Sequence, residues 1–113
     1  MKLIIAYIRP EKLTAVKQAL YEAKVYKISV SNALGHGEQL GYHESYRGVG
    51  IEVDLLKKVR IEIALNEDFV SAATKAIIAG GQTGEVGDGK IFITDLSECI
   101  RIRNGEKGSP AIG

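Results

Sequence analysis

Disulfides, membrane spans and large single-sign charge are all missing from this chain of 113 residues. Cys99 is its only cysteine, so no internal disulfide can form, and a reducing compartment fits best. That cysteine stands beside Ile100 in an apolar run, where a buried, inert thiol is expected. The apolar runs are short, far below the roughly 20 residues that cross a bilayer. The opening Met1-Lys2-Leu3-Ile4-Ile5 enters a strand pattern with no cleavage-site signature, so a soluble cytoplasmic protein is expected. Fifteen Lys and Arg against 14 Asp and Glu leave a net charge of +1, which points to neither a nucleic-acid binder nor a membrane-surface binder.

The apolar share, 45%, is that of a globular domain rather than a disordered tail. A single domain over residues 1–113 is expected, because the chain is too short for two cores. So small a domain buries only part of its apolar surface alone, and an oligomer would help it.

Residues 2–8 are nearly continuously apolar, as in a strand buried on both faces. Pro10 suits a first helical turn, and Leu13, Val16, Leu20 and Ala23 recur at helical spacing, which predicts a helix over 11–23. From Val25 to Ala33, Tyr26, Ile28 and Val30 alternate with Lys27, Ser29 and Ser31, the pattern of a half-buried strand. Residues 35–50 carry Gly35, Gly37, Gly41, Gly48 and Gly50 with no apolar period, a long loop of the kind that is usually functional or mobile. Residues 57–65 alternate again, with Val59, Ile61, Ile63 and Leu65 on one face. Asn66 or Asp68 can cap a second helix over 67–79, with Phe69, Ala73, Ala76 and Ile77 as its buried stripe. Strands are expected at 90–94 and 100–103, then a loose tail over 104–113. Two βαβ halves predict an α+β, ferredoxin-like domain: an antiparallel sheet with both helices on one face. The other face keeps apolar residues, so a homo-oligomer is expected to cover it.

Thr83-Gly84-Glu85-Val86-Gly87-Asp88-Gly89-Lys90 could fold its backbone amides around an anion, because glycines place no Cβ in the way. Lys90 adds a charge, and Arg101 and Arg103 would share one face of the 100–103 strand. A polyphosphate site and a plain hairpin turn both remain open on spacing alone. The P-loop spacing is absent. His36 and His43 do not match a structural zinc spacing, and no nucleophile–base pairing is visible.

T-G-E-V-G-D-G-K-I-F at 83–92 and I-R-I-R-N-G-E at 100–106 closely resemble the two C-terminal signatures of the PII nitrogen-regulatory signalling proteins. E-S-Y-R-G at 44–48 resembles the signature of that family's T-loop, which would span about 37–55 here. The resemblance implies a homotrimer of double βαβ subunits with ATP or ADP in clefts between them. It implies that Gly87, Asp88, Gly89 and Lys90 cradle the phosphates, with Arg101 and Arg103 adding charge. Ser29 and Glu62 would lie by the adenine, and Gly35 and Gly37 at the base of the T-loop. With ATP, Gln39 would help coordinate Mg²⁺, and Gln39, Gly41 and Lys58 would hold 2-oxoglutarate. Tyr46 and Arg47 would meet a nitrogen-metabolism partner such as an ammonium channel, Arg47 from the exposed tip. The membrane is reached only through such a partner, and no catalytic residue is implied.

Departures from the pattern carry their own expectations. Ile51 stands where many bacterial members have a nucleotidylylated tyrosine, and Val49 where some cyanobacterial members have a phosphorylated serine; neither side chain has a hydroxyl. Regulation by ligands alone is therefore expected. Glu38 replaces a common arginine and either weakens ATP relative to ADP or points into solvent, while Leu40 replaces a common lysine. Three alternatives stand beside the nitrogen sensor. The first is an adenine-nucleotide energy sensor with little 2-oxoglutarate response. The second is a slow ATPase in the same cleft. The third is a metal-binding trimer using His36 and His43.

Overall fold

A computed structural model describes residues 1–35 and 55–113. Strand β1 spans Lys2–Ile8, helix α1 Leu13–Glu22, β2 Ser29–Gly35, β3 Leu56–Leu65, α2 Val70–Gly81, β4 Lys90–Asp95 and a terminal turn of helix, α3, Ser109–Ile112. The strands lie in the order β2-β3-β1-β4, and each neighbouring pair is antiparallel. This is the expected double βαβ, α+β domain. Among the described residues no helix is long and apolar enough to cross a membrane.

Alternation decides which face is the core. Ile4, Ala6 and Ile8 of β1 and Val59, Ile61, Ile63 and Leu65 of β3 are buried, and they pack with Val16 and Leu20 of α1 and Ala73, Ala76 and Ile77 of α2. The two helices touch closely: a Cβ on Gly80 would stand 2.7 Å from the Cα of Val16. The opposite face carries Leu3, Ile5 and Tyr7 half-buried and Phe92 exposed, with no layer over it among the described residues.

Several expectations are corrected. The second strand starts at Ser29 rather than Val25, because Val25 belongs to the turn that closes α1: its N–H reaches Leu20 O at 2.9 Å and Lys24 N–H reaches Tyr21 O at 2.9 Å, with Lys24 at φ +66. Strand β2 is also mostly exposed rather than half-buried, since it is an edge that the helices do not reach. Neither Asn66 nor Asp68 caps α2 with its side chain, and Phe69 is 46% exposed. The strand expected at 100–103 is reduced to one bridge, Ile100 to Lys107, before the chain turns at residues 102–104. Asn104-Gly105, with Gly105 at φ +74, favours that turn over an extended strand.

Residues 104–113, expected to be loose, are tied back by Gly108 N–H to Cys99 O at 2.9 Å and Asn66 Nδ2 to Ser109 O at 3.3 Å. Cys99 is half-buried rather than buried.

Candidate functional site

The site grows from register. Lys2↔Asp95 through Tyr7↔Lys90 aligns β1 with β4, and Lys2↔Leu65 through Ile8↔Val59 aligns β1 with β3. Continued past the ladder ends, the same pairing sets Arg9 between Lys58 and Asp88, on the face away from the helices. Pro10 holds Arg9 extended, at φ −67 and ψ 138, so the side chain stays in that row.

Arg9 Nε donates to Asp88 Oδ1 at 2.9 Å, and an Arg9 Nη donates to Val86 O at 2.9 Å. From the other side, Lys58 Nζ donates to Gly87 O at 3.0 Å. The Asp88 carboxylate also accepts from Thr83 N at 2.7 Å, Gly84 N at 2.8 Å and the Thr83 hydroxyl. The Thr83 hydroxyl and amide, then Arg9 and the Gly84 amide, hold that carboxyl well below the usual carboxylate range against the opposing effect of burial. Its oxygens are thus occupied in closing the loop, and Asp88 has only its backbone to offer a ligand.

Gly89 presses the loop onto β1. A Cβ there would stand 1.7 Å from Tyr7 O, and φ is +100, so this position needs glycine on two counts. Lys90 follows, exposed, on the same face as Tyr7 and Arg60. Gly35, at the end of β2, lies against the Lys58 stem; a Cβ there would meet Lys58 Cγ at 2.8 Å. Gly35, Lys58, Gly87, Asp88, Gly89 and Lys90 are therefore gathered at one end of the sheet.

A second group sits elsewhere. Ser29 pairs with Glu62 across β2 and β3, and Glu62 also holds Arg60 at 2.8 Å. Both line an open groove of about 330 Å³ with Cys99, Ala111 and Ile112. Ser29 and Gly35 are the two ends of β2, six residue steps or about 20 Å of extended chain apart. Arg101 belongs to the hairpin beyond: its guanidinium bonds Glu106 and donates to Pro110 O at 2.8 Å. Arg103 lies exposed in the 102–104 turn, so the two arginines do not share a strand face as expected. Gly37, Gln39, Gly41, Tyr46 and Arg47, with His36, Glu38, Leu40, His43, Val49 and Ile51, lie outside the described residues. Among the described residues no three His, Cys, Asp or Glu gather as a metal site.

Arg9 and Thr83 were not singled out from the sequence. The signal for Arg9 was available: Arg9-Pro10 ends the first strand and Asp88-Gly89-Lys90 opens the last, so pairing those strands brings the two together.

The described residues form an antiparallel α+β domain with a glycine-rich loop clamped at one end of its sheet. Residues 1–106 match the family model for nitrogen regulatory protein P-II. The chain belongs to that family of nitrogen-regulatory signal-transduction proteins. It is 48% identical over 112 residues to nitrogen regulatory protein P-II 2 of Methanothermobacter thermautotrophicus, covering 99% of this chain and 97% of the relative. It is 49% identical over 112 residues to nitrogen regulatory protein P-II of Mesorhizobium japonicum, covering 99% and 100%. It is 46% identical over 114 residues to nitrogen regulatory protein GlnK1 of Methanosarcina mazei, covering 99% and 97%. All three relatives are named as regulatory proteins, not as enzymes.

Proposed function

We propose that this protein is a cytoplasmic, non-catalytic sensor of ATP, ADP and 2-oxoglutarate that acts on nitrogen-metabolism partners. In this scheme nucleotide phosphates lie on Gly87, Asp88, Gly89 and Lys90, with Gly35 and Gly37 beside them. The adenine lies against Ser29 and Glu62 of a neighbouring copy in a homotrimer, whose Arg101 and Arg103 add charge. The observation that carries this proposal is the division of the candidate residues into two groups at different places on one sheet face. Two copies meeting head to flank would bring complementary groups together. The uncovered apolar residues Leu3, Ile5, Tyr7 and Phe92 give that association a driving force.

Bound Mg²⁺ would neutralise phosphate charge and let a dicarboxylate approach; Gln39 would ligate it, and Gln39, Gly41 and Lys58 would receive 2-oxoglutarate. Lys58 supports this role because its ammonium already stands beside the phosphate loop at Gly87 O. Each ligand set must favour one T-loop state by its own binding energy, and Tyr46 and Arg47 would present that state to a partner such as an ammonium channel. Calorimetric titration with ATP, ADP and 2-oxoglutarate, with and without Mg²⁺, tests the proposal. The expected result is 2-oxoglutarate binding only with Mg-ATP. Failure of both nucleotides to bind would overturn it, and nucleotide binding without any response to the acid would leave an energy sensor.

A further inference from the structure

We infer that Arg9 is a positioning residue for polyphosphate binding, acting through the loop it clamps rather than by touching the ligand. The inference rests on the polyphosphate site proposed above. Its basis is peptide geometry: in a planar trans peptide the C=O of one residue and the N–H of the next point in opposite directions. No described peptide bond is cis. Arg9 holds Val86 O, so the Gly87 N–H points away from the guanidinium. Lys58 holds Gly87 O, so the Asp88 N–H points away from the ammonium. Two consecutive amide donors are thereby set before any ligand arrives. Donors already aimed lose less freedom on binding, which is how pre-organisation raises affinity.

The guanidinium suits this task because one planar fork serves two acceptors of different kinds, the Asp88 carboxylate and the Val86 carbonyl. The Asp88 end is itself fixed by Thr83 and Gly84, so the clamp is anchored to a closed turn rather than to a free side chain. A lysine at this position would keep the charge but could satisfy only one of those acceptors well.

The experiment compares wild type, Arg9→Gln and Arg9→Lys by calorimetry with ATP, ADP, sodium tripolyphosphate and adenosine. Amide hydrogen exchange over residues 83–90 and thermal unfolding of each unliganded protein accompany it. The expected result is a loss of about tenfold in Arg9→Gln for ATP, ADP and tripolyphosphate alike, or about 1.4 kcal/mol. Adenosine affinity should be unchanged, exchange at Gly87 and Asp88 faster, and Arg9→Lys intermediate. A folded Arg9→Gln that binds ATP and tripolyphosphate as wild type does would overturn the inference while leaving the nucleotide site intact. An Arg9→Lys equal to wild type, with Arg9→Gln hurting ATP more than ADP, would also overturn it, because that pattern marks direct charge attraction. Wild-type protein that binds none of the three phosphate compounds would remove the nucleotide site and this inference together. Should Arg9→Gln fail to fold, Arg9→Lys decides: wild-type affinity and exchange overturn the inference, and a joint change supports it.

Discussion

Single residues set the shape of the glycine-rich loop at 83–90, and two of its glycines separate steric from conformational demand. Gly84 and Gly89 both have positive φ, at +90 and +100, but a Cβ on Gly84 meets nothing within 4 Å while one on Gly89 would strike Tyr7 O. Gly84→Ala should therefore lower stability by about 1–2 kcal/mol, the left-handed penalty alone. Gly89→Ala must also push the loop off β1 and should lose more than twice as much, or fail to fold; chemical denaturation of both variants checks the ratio. Asp88 gives a second residue-scale test. Its folded-state pKa is depressed, so its contribution to stability is present above the usual carboxylate value near about 4 and is lost as pH falls below that value. Asp95, depressed mainly by its hydrogen bond to Lys2, acts in the same direction. Asp88→Asn should flatten, without abolishing, the fall of the thermal midpoint below about pH 4. An unchanged acid profile would show that the Asp88 contacts do not bias its ionisation.

At the scale of elements, the helix layer depends on a glycine in the closing turn of α2. Gly80 lies so close to Val16 and Ala15 of α1 that a methyl group would stand 2.7 Å from the Val16 Cα and 2.8 Å from Ala15 O. Those atoms are backbone and cannot rotate away. Gly80→Ala should force the helices apart and destabilise by about 1–3 kcal/mol despite alanine's better helix propensity. A rise in the thermal midpoint would show that the helices separate without loss. The same scale explains several departures from the sequence reading. Val25 satisfies a strand pattern and a helix stop equally well, and the hydrogen bond to Leu20 O decides for the stop. Ile100 and Ile102 alternate with arginines like a strand, but Asn104-Gly105 turns the chain, leaving Ile102 100% exposed.

The whole molecule raises the question of which copy supplies which half of the proposed site. Lys90→Ala removes a charge from the loop group, and Glu62→Gln alters the group beside Ser29. Each variant alone should bind ATP weakly. Refolded together, they should regain a fraction of tight sites, because some interfaces would join an intact loop to an intact Glu62. Titration of the mixed sample reads that fraction, and its absence would place both groups of a site within one chain. Covering Leu3, Ile5, Tyr7 and Phe92 would stabilise the same assembly.

Local rules account for what the sequence by itself determined. The alternation of residues 57–65, the helical spacing of Leu13, Val16 and Leu20, and the Gly-Asp-Gly-Lys turn are short-range patterns, and they suffice for the double βαβ order and for the location of the loop. The signatures at 83–92 and 100–106 also sufficed for the family, which the match over residues 1–106 bears out. Only the tertiary structure decided that Arg9 and Lys58 grip that loop, that the Asp88 side chain is spent on closing it, and that Ser29 and Glu62 lie apart from Gly35. Strand register made those decisions. It joins residues 79 positions apart in the chain, Arg9 and Asp88, and no local pattern encodes which rungs of a sheet will face each other.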